Sequence, residues 1–269
     1  HIENDYAVHK MGCGIRAAPF VFEIFGPSNQ GKSTIGATIL DACLKAAGLP
    51  SGDQYRQTIN GCKKFLDGYK SHKNAVMFDD WGNTKAEFVE NPPTETLKDM
   101  DNNVPFVANM ADLREKGKIF VEPELVGITT NVKHLDAHKY SNCPYSIQRR
   151  ARYVITVECR PEFQRSSADG TLCGLSSQVV SQWYADHGYD EPPAIEDLWV
   201  INVEEAVDPG PDNLANLATY SPIYDNGEAL MGITLPRLIA FLVPKFLEHR
   251  ELQRKLVAMN QNRSKTMKV

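Results

Sequence analysis

Apolar positions first gather in FVFEIF at residues 20–25, a short β-branched and aromatic run that stops at Gly26 and gives way to a polar loop. Beyond the loop, residues 34–48 (TIGATILDACLKAAG) carry apolar side chains at helical spacing and end on a glycine, so the opening unit reads strand, loop, helix. Residues 51–74 keep neither period and are expected to form a mixed connection. AVMF at 75–78 is a second strand, running straight into Asp79 and Asp80. Pro92 and Pro93 then open a helix, with Thr94 expected to cap it, Glu95 in its first turn and Pro105 breaking it. A second helical stretch is expected through Leu113, followed by Lys116-Gly117-Lys118 and a strand pair, residues 119–123 (IFVEP) and 124–131 (ELVGITTN), turning at Glu122 and Pro123. Residues 152–157 (RYVITV) add a further strand.

Strands alternating with helices predict an α/β fold with a mostly parallel central sheet, helices on both faces and a ligand at the carboxyl ends of the strands. After Cys159 the pattern weakens into loop-like segments (SSADGTLCG, EPPAIED, DPGPDN), which divides the chain into a core of residues 1–160 and a smaller C-terminal region of residues 161–269. That region ends in an amphipathic helix opened by Thr234, with Pro236 in the first turn, where its missing N–H does no harm. Pro244 is expected to kink it. Leu235, Leu238, Leu242 and Phe246 share one stripe, expected to lie in a neighbouring subunit, the alternative being its own domain. From residue 245 on, seven Lys and Arg face two Glu, so the tail is expected to stay solvated or touch RNA.

Composition narrows the class. With 42% hydrophobic and 23% charged residues in 269, the chain can build a sizeable core. A formal charge of −5 means that any affinity for nucleic acid must come from a local patch. The six cysteines (Cys13, Cys43, Cys62, Cys143, Cys159, Cys173) form no CxxC pair, and a reducing compartment is expected. The longest aliphatic stretch, at residues 239–243, is far short of the roughly 20 residues of a membrane span. A start at His1 reads as a piece of a longer chain, with membrane contact expected only through a segment outside it.

Candidate chemistry begins at Gly26-Pro27-Ser28-Asn29-Gln30-Gly31-Lys32-Ser33, which fits GxxxxGK[ST] between a strand and a helix. Backbone N–H groups of such a loop, and of the helix start through Thr34, cradle the phosphates of ATP; Lys32 reaches the β- and γ-oxygens and Ser33 holds Mg²⁺. Asn29 stands where many such loops have glycine. Asp79 and Asp80 close the next strand, which suits Asp79 to bind Mg²⁺ and Asp80 to orient and deprotonate the attacking water. Asn131 ends the strand ELVGITTN, from where its amide reaches the γ-phosphate and that water; a turn asparagine is otherwise commonplace.

Four blocks, RAAPFVFEIFGPSNQGKST, DQYRQTINGCKKFLDGYKSHKNAVMFDDWG, MADLREKGKIFVEPELVGITTN and PYSIQRRARYVITV, resemble in order the motifs of superfamily 3 helicases of picorna-like positive-strand RNA viruses. The resemblance spans about residues 16–157 and implies an AAA+-like P-loop three-layer sandwich that hydrolyses ATP with Mg²⁺. It implies a homo-oligomeric ring, expected to be a hexamer, that remodels or unwinds single-stranded RNA beside other viral replication proteins at membrane-associated complexes of the host cytoplasm. By the same resemblance Arg149 and Arg150 act on ATP bound to the adjoining subunit, and Leu113 to Lys118, with Arg114, Lys116 and Lys118, lines a central channel. Taken alone, paired arginines before a strand are usually a solvated or salt-bridged face.

Three rivals stay open: a P-loop small-molecule kinase, an RNA-binding scaffold or chaperone with a switch-like ATPase, and a DNA-virus replication initiator. His134 and His138 do not make a zinc-protease motif, because Leu135 stands where glutamate is needed. No zinc site is expected with Cys143, Cys159 or Cys173, and Met11-Gly12-Cys13 reads as an accidental acylation signal.

Overall fold

The computed structural model describes residues 14–59, 66–82, 87, 89, 91–114 and 116–266. Met11-Gly12-Cys13, Cys62 and the FLDGY block as far as residue 65 lie outside the described residues. In chain order the elements around the site are β1 (Phe20–Phe25), α1 (Lys32–Ala46), β2 (Arg56–Ile59), β3 (Ala75–Trp81), α2 (Pro93–Met100), β4 (Leu125–Thr130), α3 (Ala137–Tyr140), α4 (Tyr145–Gln148) and β5 (Tyr153–Cys159). Then follow β6 (Gln164–Ser166), β7 (Leu172–Leu175), α5 (Ser177–Asp186), β8 (Trp199–Val207), β9 (Thr219–Pro222), β10 (Tyr224–Asp225), β11 (Glu228–Ala229) and α6 (Leu235–Thr266).

Seven strands form the main sheet in the order β2-β3-β4-β1-β5-β8-β9. The first five in that order run parallel, while β8 and β9 are antiparallel additions at one edge. Alternating side chains of β1 feed two cores. Phe20, Phe22 and Ile24 pack with Ile35, Ile39, Leu40 and Leu44 of α1 and with Leu235, Leu238, Leu242 and Phe246 of α6. Val21 joins Val76, Phe78, Val126 and Ile128 under Leu97 and Met100 of α2 and Ile147 of α4. The expected α/β three-layer arrangement with a mostly parallel sheet is what these faces build, each fully buried Leu or Phe contributing about 1.5–3 kcal/mol.

Several local expectations are overturned. Residues 119–131 do not form a hairpin. β4 is hydrogen-bonded in parallel by β1 on one side and β3 on the other, so it has no free edge for the preceding segment. That segment turns back instead: Ala108 N–H donates to Ile119 O at 2.8 Å and Val121 N–H to Phe106 O at 2.9 Å. The second helix expected through Leu113 is absent among the described residues, where turns and bends stand. α2 ends at Met100, short of Pro105, because Asn102 captures local groups: its Nδ2 donates to Lys98 O at 2.9 Å and its Oδ1 accepts from Val104 N–H at 2.9 Å. Thr94 does not cap α2; Pro92 holds that position, and the Thr94 hydroxyl is turned into the core with no hydrogen-bond partner.

The stripe on α6 was expected in a neighbouring subunit. It packs on its own sheet, with Phe246 set edge-on to Phe20 at 6.0 Å between ring centroids. Thr234 does open the helix, accepting from Arg237 N–H at 3.3 Å, and the helix continues through Pro244 to Thr266. Nor does the sheet stop at residue 160, since Cys159 of β5 pairs with Trp199 of β8. No helix among the described residues is long and apolar enough to cross a membrane.

Candidate active site

Strand β1 delivers the loop of residues 26–31 to the carboxyl end of the sheet, and two glycines there are required by geometry. A Cβ on Gly26 would lie 2.5 Å from the Val157 carbonyl oxygen, so only glycine lets the loop leave between its neighbours. Gly31, with φ +77°, is the left-handed residue from which α1 starts. Asn29, at φ 60°, occupies the same region, which asparagine tolerates better than other side-chain-bearing residues; this accounts for it in a glycine-like place. No side chain caps α1 and no acid sits in its first turn, so its N–H groups and positive dipole end face the loop.

The side chains named from sequence converge here. Lys32, buried on its stem, donates to Gly26 O at 3.0 Å, Pro27 O at 2.7 Å and Asn131 Oδ1 at 2.7 Å. Burial lowers its pKa, and Asp80 and Asp79 oppose that shift. Ser33 Oγ donates to Asp79 Oδ1 at 3.1 Å. Two neighbouring ligands on an octahedral Mg²⁺, each at about 2.1 Å, lie about 3.0 Å apart, so Ser33 and Asp79 fit a shared ion whose other ligands are phosphate and water. A cleft of about 350 Å³ is lined by Ser28, Asn29, Gln30, Gly31, Lys32, Ser33 and Thr34 from the loop and α1, and by Asp79, Asp80, Thr129 and Asn131.

Thr129 was not foreseen. Its hydroxyl donates to Asp79 Oδ1 at 2.7 Å and accepts from Asp80 N–H at 3.1 Å. The acids sit on a bulge: Phe78 pairs with Ile128 but Trp81 pairs with Thr130, so β3 spends one residue more than β4. Asp80 takes φ 57° there, which re-aims consecutive carboxylates that a regular strand would point to opposite faces. The one available signal for Thr129 was its place two residues before Asn131, which on a strand puts the two on the same face.

A second unforeseen contribution comes from beyond residue 160. Trp199 Nε1 donates to Gln30 O at 2.6 Å, Gln30 Oε1 accepts from Cys159 N–H at 2.6 Å, and Leu175 N–H donates to Asn29 O at 2.9 Å. The loop is thus gripped by β5, β7 and β8.

Arg149 and Arg150 lie elsewhere. They line another cleft, of about 460 Å³, with Arg152, Asp101 and His249 beside Phe20 and Val21, at the amino-terminal end of β1. The six residues of β1, roughly 20 Å long, separate it from the phosphate loop. Arg149 is exposed, whereas Arg150 is held by Asp101 at 3.0 Å. Burial pushes the Asp101 carboxyl up to about 6 against the pull of Arg150. Arg114, Lys116 and Lys118 are all exposed on turns with Leu113, apart from both clefts. A cleft larger than either, about 520 Å³ between residues 15–18 and the far half of α6, gathers no comparable set of reactive groups.

Residues 22–132 match the family described as RNA helicase. Relatives include the genome polyprotein of human parechovirus 5, 29% identical over 168 residues (62% of this chain, 7% of that polyprotein). The RNA1 polyprotein of grapevine fanleaf virus is 34% identical over 121 residues (44% of this chain, 5% of that polyprotein). The genome polyprotein of human enterovirus 70 is 28% identical over 152 residues (55% of this chain, 6% of that polyprotein). The matched core belongs to the superfamily 3 helicases of picorna-like viruses. The chain spans well under a tenth of these relatives' length. In this helicase core the matched residues hold the phosphate loop, both acids and Asn131, while Arg149, Arg150 and Trp199 fall after the match.

Proposed function

We propose that the chain hydrolyses ATP with Mg²⁺ in a homo-oligomeric ring, expected to be hexameric, and couples turnover to remodelling or unwinding of single-stranded RNA during viral genome replication in the host cell. The observation that carries the reading is the convergence of two hydrogen-bonded pairs, Lys32 with Asn131 and Ser33 with Asp79, on one cleft at an uncapped helix start. Backbone N–H groups of residues 28–33 hold the phosphates, and Lys32 exchanges one of its present acceptors for a β/γ oxygen. Mg²⁺ bound by Ser33 and Asp79 would neutralise charge on the phosphate oxygens. Asp80 orients the attacking water and takes its proton, and Asn131 fixes that water against the γ-phosphate. Arg149 and Arg150, roughly 20 Å from their own subunit's loop, serve the nucleotide of the next subunit and make turnover depend on assembly.

Lys32→Ala removes the charged donor at the centre of the cleft. It is expected to unfold cooperatively like the parent and to release no phosphate above background. Parental phosphate release by this variant would sink the reading. With RNA present, strand separation by the parent chain argues for unwinding, and stimulated turnover without separation argues for remodelling or a switch-like scaffold.

A further inference from the structure

Gln148 ends the short helix α4, and the next two residues are Arg149 and Arg150. It is 1% exposed, unusual for a glutamine, and its amide is nearly saturated. Oε1 accepts from Ala218 N–H at 2.8 Å, just ahead of β9. Nε2 donates to the Tyr220 hydroxyl at 3.2 Å and to His134 Nδ1 at 3.0 Å. Tyr220 in turn donates to the Lys133 carbonyl at 2.8 Å, two residues beyond Asn131. Burial and the neighbouring Lys133 lower the pKa of His134, which keeps Nδ1 available as an acceptor near neutral pH.

The two segments joined here are unequally braced. The loop after Asn131 has other anchors: Val132 N–H donates to Thr130 Oγ1 at 2.9 Å, and the Lys133 ammonium pairs with Glu204 of β8 and sits 4.6 Å from the Tyr220 ring centroid. The arginine turn is held at its two ends, where Ile147 is buried in the core and Arg152 N–H donates to Val21 O at 3.1 Å. Between them α4 is four residues long with no side-chain cap, and the described side-chain tie of the arginines themselves is the Arg150–Asp101 pair.

We propose that Gln148 is a positioning residue: it locks the turn that bears Arg149 and Arg150 to the loop that follows Asn131, and thereby sets the register in which the arginines meet a neighbouring subunit's nucleotide. The inference rests on the trans-arginine reading above. Without the amide the turn moves independently of the nucleotide-sensing end of β4, while the better-anchored loop stays in place. A displacement of an ångström at a charged catalytic group lowers a rate by up to roughly a hundredfold.

The test uses full-length chains mixed in equal amounts. Lys32→Ala chains supply arginines but cannot turn over, and Arg149→Ala/Arg150→Ala chains keep an intact cleft but supply none. Their mixture is expected to release phosphate faster than either alone; if it does not, the trans reading itself falls and this inference with it. Gln148→Met, which keeps the volume and removes the amide, is then placed in one partner at a time. In the arginine donor it is expected to cut the restored rate roughly tenfold or more, with KM for ATP unchanged. In the acceptor it is expected to leave the rate where it was. Equal losses in both positions would overturn the proposal, because a general packing role does not distinguish them, and so would no loss in the donor. Tyr220→Phe, which deletes one hydroxyl and no volume, should reproduce the asymmetry at smaller amplitude and decides the matter if the Gln148 variant does not fold.

Discussion

Among individual residues, Asp101 has an environment that sets a measurable pH dependence. Burial raises its carboxyl from 3.8 to about 6, although Arg150 lies 3.0 Å away. Through that window the folded chain keeps a proton that the unfolded chain has released. The contribution of this group to stability is therefore largest below the unfolded value and is lost as pH rises toward the folded one. The loss amounts to roughly 2 kcal/mol. Asp101→Asn removes it, so the stability of the parent relative to this variant, from urea midpoints, is expected to fall by about that amount between about pH 4 and about pH 7. A difference that stays constant would show that the carboxyl titrates at its ordinary value. Arg150 differs from Arg149 because one is anchored by a half-buried acid and the other is exposed.

Element by element, what was legible follows from where the hydrogen bonds go. β1, β3, β4 and β5 are central parallel strands buried on both faces, and such strands read as continuous apolar runs. Each motif that ends one of them could be located for that reason. β2 was hidden because it is an edge strand whose Arg56, Gln57 and Thr58 need no apolar face. β8 alternates buried Trp199, Ile201 and Val203 with more exposed partners, a pattern diluted by Glu204 and Glu205. The false hairpin arose from judging residues 119–131 by neighbours in sequence, when β4 is satisfied by strands far away along the chain. The stripe on α6 was read correctly as apolar, and of the two partners left open for it, a neighbouring subunit and its own domain, the structure shows the second. Leu242 is fully buried against the chain's own sheet, so Leu242→Ala is expected to cost roughly 2–5 kcal/mol of stability. Ending the chain after Asn226 would uncover Phe20, Phe22 and Ile24 and is expected to abolish the cooperative unfolding transition in circular dichroism. A truncated chain that still unfolds cooperatively, or a Leu242→Ala chain with the parental urea midpoint, would contradict this packing.

For the whole molecule, the parallel sheet separates two kinds of charge. Its carboxyl edge carries the phosphate loop, the paired acids and Asn131; its amino edge carries Arg149, Arg150 and Arg152. A chain of net charge −5 thus concentrates cations roughly 20 Å from the loop on which the proposed reading places its own nucleotide. That separation favours catalysis shared between subunits over a self-sufficient monomer. Residues beyond 160 belong to the same design, since Trp199 and Leu175 grip the loop while Tyr220 and Ala218 grip Gln148. The most direct test of the central claim is the rate of phosphate release per chain, measured across protein concentration for the parent and for Arg149→Ala/Arg150→Ala. Hydrolysis completed in trans predicts that the parent's rate per chain climbs with concentration to a plateau, while the arginine variant binds Mg·ATP as the parent does and stays near background throughout. A parental rate independent of concentration, matched by the arginine variant, would contradict it.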